Sequence, residues 1–131
     1  MAEEIGPGLL EASIERIWSE HDGDKRLAAI AEIYHPEARI YEPERSVMGH
    51  TAISDTVAGV LADMPPGFRF TVTGPTLGHH SVAVTRWQGG PEGEIIVSGS
   101  DAARILDGKI HEHWFFFDPA RGNEAAEPQN Q

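Results

Sequence analysis

The apolar residues change their spacing once along this chain, between Met64 and Phe68, and nothing else in the sequence constrains the fold as much. Before the break they recur every three or four residues, the spacing of one helix face. After it they alternate, the spacing of strands with one buried face. Helices first and strands afterwards define an α+β arrangement rather than alternating βαβ units.

In "LLEASIERIWSEHDGD" the residues Leu10, Ile14, Ile17, Trp18 and His21 share a face, and Gly23 closes the helix. Asp24 is placed to cap a second helix, "KRLAAIAEIYH", with Leu27, Ile30, Ala31 and Tyr34 inward and Pro36 as the stop. "EARIYEP" reads as a short strand and "ERSVMG" as a loop. A third helix, "TAISDTVAGVLADM", carries Ile53, Val57, Val60, Leu61 and Met64 before "PPG" ends it. "FRFTVTGPTL", "HSVAVTRWQ", "GEIIVSGSDAARIL" and "KIHEHWFFFD" then read as strands of an antiparallel meander. The expected fold is a curved antiparallel sheet with three helices on its concave side and a cavity at its open end. Residues 1–8 are expected to be a flexible N-terminus, 9–118 one domain, and 119–131 a disordered polar tail.

With 131 residues the chain fits one domain with one real core. It has no cysteine, so disulfides and thiolate chemistry are out and a cytoplasmic home is expected. No apolar run approaches membrane-spanning length, and "MAEEIGPG" lacks a basic region before an apolar one. Acidic residues number 21 against 10 basic, a formal net of -11. That charge argues against nucleic acid or an anionic membrane as partner.

The last hairpin turns at "ILDGKI", and two pairings are open. A two-residue turn at Asp107-Gly108 sets Leu106 opposite Lys109 and Asp101 opposite Trp114. A three-residue loop sets Ile105 opposite Lys109, Asp101 opposite His113 and Ala103 opposite His111, with Gly108 in a bulge. One residue of register flips every partner. The second pairing is preferred, because it collects Val97, Asp101, Ala103, Ile105, His111, His113, Phe115 and Phe117 on one mostly apolar face. That face suits a small-molecule pocket. Trp114 and Phe116 then fall on the other face, where they suit a homodimer contact.

The order of elements, with "IYHPEARIYEP", "VMGHTAI" and "GSDAARILDGKIHEHW", resembles the nuclear transport factor 2-like superfamily. Within it the chain is similar to the SnoaL-like polyketide cyclases and, more distantly, to ketosteroid isomerase. The resemblance covers roughly residues 9–118. It implies a cone, a bent sheet wrapped around helices with an apolar cavity, and a dimer. It also implies that Asp101 is a cavity carboxyl serving as acid or base, and that Glu42, in "YEP", stands where the isomerase keeps its catalytic aspartate. The isomerase's first-helix tyrosine falls near Ile17 or Trp18, neither a phenol, which argues against steroid isomerisation itself.

Asp101 and His113 form the lead pair: a carboxylate facing an imidazole can move a proton from carbon next to a carbonyl. Pairs of this kind also order strands without catalysing anything. Glu42 is the second acid, at the cavity mouth. Trp18, Tyr34, Tyr41, Trp87, His111, Phe115 and Phe117 are expected to contact substrate, since aromatics give shape and stacking. His111 and His113 share a strand face and Asp101 could join them around zinc, but the spacing matches no compact metal motif. No metal and no cofactor is expected, and no phosphate loop or nucleophile elbow occurs. The expected function is a cofactor-independent acid–base enzyme, of cyclase, isomerase or dehydratase type, on a small hydrophobic carbonyl compound. The alternative is a binding or dimerisation domain of the same fold.

Overall fold

The computed structural model describes residues 5–119. Helix α1 spans Ile5–Arg16, α2 Gly23–Ile33 and α3 His50–Ala62. The strands are β1 Tyr34–Glu42, β2 Arg45–Met48, β3 Arg69–Val72, β4 Leu77–His79, β5 Val82–Gly90, β6 Val97–Leu106 and β7 Lys109–Phe117. They form one seven-stranded sheet in the order β2-β1-β7-β6-β5-β3, with β4 also paired to β5. The expected α+β arrangement of three helices and a curved, unclosed sheet is what the chain adopts.

The sheet is mixed, because β1 runs parallel to β7 while every other pair is antiparallel. The expected meander therefore covers β3 to β7 only. The "ERSVMG" segment, expected as a loop, supplies β2, hairpinned to β1 with Glu42 opposite Arg45. Helix α1 starts at Ile5, inside the segment expected to be a flexible end. Its first turn is packed: Gly6 is buried, a Cβ there would touch Ile105 and Ala83, and Pro7 abuts Gly78. The expected tail after Pro119 lies outside the described residues.

Helix α2 is turned from its expected face. Asp22, rather than Asp24, caps it by accepting the Lys25 N–H at 3.0 Å. Arg26, Ala29, Ile30 and Ile33 are buried, whereas Leu27 and Ala31 are exposed. The cause is Arg26, whose guanidinium donates to the Ser54 hydroxyl at 3.0 Å and the Glu20 carbonyl at 2.6 Å. A buried charge with partners of this kind can displace a leucine from the inner stripe.

The core lies between the helices and the concave sheet face. Leu10, Ile14, Ile17, Ile30, Ile53 and Val57 meet Ala38, Ile40, Ala83, Ala103, Ile105 and Ile110 there. Among the described residues no helix is long and apolar enough to cross a membrane.

Candidate active site

The hairpin of β6 and β7 sets the site. Its turn has two residues, Asp107 (φ 54°) and Gly108 (φ 76°), with Leu106 opposite Lys109 and Ile105 opposite Ile110. Two consecutive left-handed residues make the tight turn that matches strand twist, and an Asp-Gly pair favours it. The preferred three-residue loop is thus not formed. The register then shifts, so that Arg104 faces Glu112, Ala103 faces His113 and Asp101 faces Phe115. His111 is the extra residue, a bulge on β7.

The turn is therefore the two-residue one, the partners beyond the bulge match neither expectation, and the inner face keeps its members apart from His111. Turn and bulge together displace the partners by two residues from the preferred register, and an even displacement preserves which face each side chain takes. Without the bulge His113 would point outward. With it, His113 is fully buried and reaches Asp101 diagonally, Nε2 to Oδ2 at 2.7 Å. His111 leaves that face and lies against the His35 ring at 3.9 Å, away from the cavity.

Asp101 is 2% exposed and both of its oxygens are engaged. Oδ1 accepts the indole N–H of Trp87 on β5 at 2.7 Å. Behind it, His113 Nδ1 lies 2.7 Å from the Tyr34 hydroxyl at the start of β1. That hydroxyl also meets Ser13 Oγ of α1 at 3.0 Å and accepts the Trp18 indole N–H at 3.3 Å. The His113 ring stacks on Phe115 with centroids 4.2 Å apart. Burial, the dominant effect, pushes the Tyr34 phenol above its usual range, so it keeps its proton.

A cavity opens beside this chain of groups, lined by Ile14, Trp18, Val60, Phe70, Trp87, Phe115 and Phe117 with Asp101 and Glu42. Its free volume is about 30 Å³, the room of roughly one water molecule. A second, open depression of about 480 Å³ adjoins it, formed by Pro43, Glu44 and Arg45. Glu42 and Phe117 line both hollows and so stand at the mouth. Glu42 accepts the Arg45 Nε–H at 2.5 Å across the β1–β2 hairpin.

Of the residues singled out from the sequence, Asp101, Glu42, Trp18, Trp87, Phe115 and Phe117 stand together at the cavity. His113 and Tyr34 lie behind Asp101, in hydrogen-bond series. Tyr41 does not enter: it stacks on Trp114 at 5.1 Å on the convex face and donates to Glu112 at 2.9 Å. Ser13 was not anticipated, although it is the one hydroxyl on the inward stripe with Leu10, Ile14 and Ile17. Among the described residues no three His, Asp or Glu side chains converge as metal ligands would.

Three helices over a curved, unclosed mixed sheet, with a buried carboxyl facing an apolar hollow, define the nuclear transport factor 2-like class of fold. The family model for the SnoaL-like domain matches residues 10–113, and the chain belongs to that family. Solved structures agree on the fold. A SnoaL-like family protein from Agrobacterium tumefaciens, proposed to be an isomerase, superposes with a TM-score of 0.80 at 20% identity, over 88% of this chain and 99% of its own. A Kribbella flavida protein proposed to be a ketosteroid isomerase gives 0.69 at 15% identity, over 90% and 81%. A Jannaschia protein proposed to be a SnoaL-like polyketide cyclase gives 0.67 at 17%, over 88% and 87%. No curated protein matches the chain.

Proposed function

We propose that the chain is a cofactor-independent acid–base enzyme acting on a small, largely apolar carbonyl compound. The observation that carries this reading is the Asp101–His113 hydrogen bond at the wall of an apolar cavity. The family relation supports it, since the neighbours above are proposed isomerases and cyclases. In this reading Asp101 takes a proton from the carbon next to the carbonyl. The C–H electron pair passes into the enolate, and the Asp101–His113 pair holds the proton until it is returned elsewhere. Glu42, at the mouth, is the second acid or base. Trp18, Trp87, Phe115 and Phe117 shape the apolar site.

The free volume near 30 Å³ admits no such compound while Phe117 stays in place. Phe117 is 47% exposed and therefore has open solvent to turn into. The same small volume favours a second reading, a domain whose cavity is filled by its own aromatics and whose work is association.

A homodimer through the convex sheet face belongs to the proposal. Tyr41, Trp114, Ala102, Val84 and Leu77 are successive neighbours across five strands. They make an apolar row roughly 20 Å long at ordinary strand spacing. Arg39, Glu112 and Arg104 flank it on one side, and exposed Phe116 on the other. A carbonyl-compound screen by thermal shift, followed by proton-exchange assays on Asp101→Asn and His113→Ala, separates enzyme from module. Turnover that survives both substitutions overturns the catalytic reading.

A further inference from the structure

Five buried groups run in series from the cavity wall into the core: Asp101, His113, Tyr34, Ser13 and, beside them, the Trp18 indole. A proton count on this series gives more than a fixed scaffold. The Tyr34 oxygen can accept two hydrogen bonds and donate one. One acceptance is always filled by the Trp18 N–H, which can only donate. One acceptance and one donation remain, to be divided between Ser13 and His113.

Either division keeps every group of the series paired, except that the second frees the Ser13 hydrogen. In the first, the Ser13 hydroxyl donates to Tyr34, Tyr34 donates to His113 Nδ1, and the neutral imidazole donates Nε2–H to the Asp101 carboxylate. In the second, the Asp101–His113 pair carries one more proton and His113 Nδ1–H donates to Tyr34. Tyr34 then donates to Ser13, and the Ser13 hydrogen is the one donor of the series left without a partner in it. The two states differ by two hydroxyl rotations and one proton, with no heavy atom displaced.

We infer that Ser13 and Tyr34 are positioning residues: a reversible hydroxyl pair that lets the buried Asp101–His113 pair gain and lose a proton while only the neutral Ser13 hydrogen gives up its partner. A buried donor or acceptor left unpaired is costly, so a rigid single-direction network would hold the pair in one protonation state. The titratable groups in contact with His113 are Asp101 from β6 and Tyr34 from β1, and its ring face is covered by uncharged Phe115. This inference rests on the acid–base reading for its purpose, but its test needs no substrate.

Histidine-labelled protein, followed by ¹⁵N NMR across a pH series, reads both imidazole nitrogens of His113. In its neutral form, His113 of the parent is expected to carry its hydrogen on Nε2. Ser13→Ala removes the only acceptor for the reversed Tyr34 hydroxyl, so proton uptake by the pair should weaken about tenfold. Ser13→Thr, which keeps the hydroxyl, should restore it. Asp101→Asn should invert the neutral tautomer. The amide oxygen accepts Trp87 N–H, the amide N–H donates to Nε2, and the hydrogen of His113 moves to Nδ1. Unchanged uptake in Ser13→Ala, or a neutral tautomer that stays on Nε2 in Asp101→Asn, overturns the inference. If Ser13→Ala does not fold, the Asp101→Asn tautomer decides alone. A failed enzyme reading would instead show as absent exchange chemistry with the tautomer switch intact.

Discussion

His113 Nε2 lies 2.7 Å from Asp101 Oδ2, although neither residue is the other's cross-strand partner. Ala103 faces His113, and Phe115 faces Asp101. The contact is diagonal, and the bulge at His111 creates it by turning His113 to the concave side. Diagonal neighbours on a strand pair lie within reach of long side chains, and Ala103 leaves the space between them open.

Removing the imidazole should be costly. His113→Ala leaves the Asp101 carboxylate without one of its two partners and the Tyr34 hydroxyl facing a void. Breaking a buried pair by deleting one member costs about 3–5 kcal/mol. Denaturant titration should show the unfolding free energy falling by that amount, with a lower midpoint at unchanged slope. A loss under about 1 kcal/mol would mean the pair is not desolvated.

Phe117 is the side chain whose removal should open the cavity. It lines both the inner hollow and the outer depression, and touches Trp87 only edge-on, centroids 5.9 Å apart. Phe117→Ala should join the two hollows and let a quencher such as acrylamide reach Trp87. Because Phe117 is half exposed, the stability loss should stay below the roughly 3–5 kcal/mol of a fully buried phenylalanine. Tryptophan quenching curves for the parent and the variant measure the first effect directly.

Two carboxylates on the convex face set an acid limit. The Tyr41 hydroxyl, foremost, and Arg104 hold Glu112 below the ordinary range. Arg86, foremost, and Ser98 do the same for Asp118. A lowered folded value means stability that is present above the ordinary carboxylate range and lost as pH falls through the lowered one. Thermal midpoints should therefore be level down to about pH 5 and decline below about pH 4. Glu112→Gln with Asp118→Asn should flatten that decline. Both groups are partly exposed, so the slope should also weaken in high salt.

The apolar row of the convex face should hold two copies together. Val84 is 44% and Leu77 59% exposed at one end, and Trp114 and Tyr41 stack at the other. Val84→Lys with Trp114→Glu should turn a dimer into a monomer by sedimentation velocity, with the fold kept by circular dichroism. A parent that sediments as a monomer at tens of micromolar would remove the dimer from the account.

The outline of this structure was legible because burial follows period. Ile53, Val57 and Leu61 mark α3, and the alternation of Ala83, Thr85 and Trp87 marks β5. Parity alone puts Asp101 and His113 on one face, whereas the observed partners differ by two residues from the preferred register. A bulge has no strong local signature, and His111 resembles any strand residue. The parallel pairing of β1 with β7 joins segments some seventy residues apart, and period carries no information on that. Arg26 displaced Leu27 because its partners, Ser54 and the Glu20 carbonyl, come from elsewhere in the fold. Tyr34 was expected at substrate and instead stands one imidazole behind the acid, a depth that only three-dimensional packing sets.

Proton exchange in heavy water shows whether Asp101 moves protons on carbon. A panel of small apolar ketones is incubated with the protein in D₂O, and deuterium next to the carbonyl is followed by NMR. At least one ketone should exchange faster than in buffer, with Asp101→Asn slowing it by about 10²–10⁴-fold, the range of acid–base catalysis. Exchange that equals buffer for every ketone, or that Asp101→Asn leaves unchanged, contradicts it.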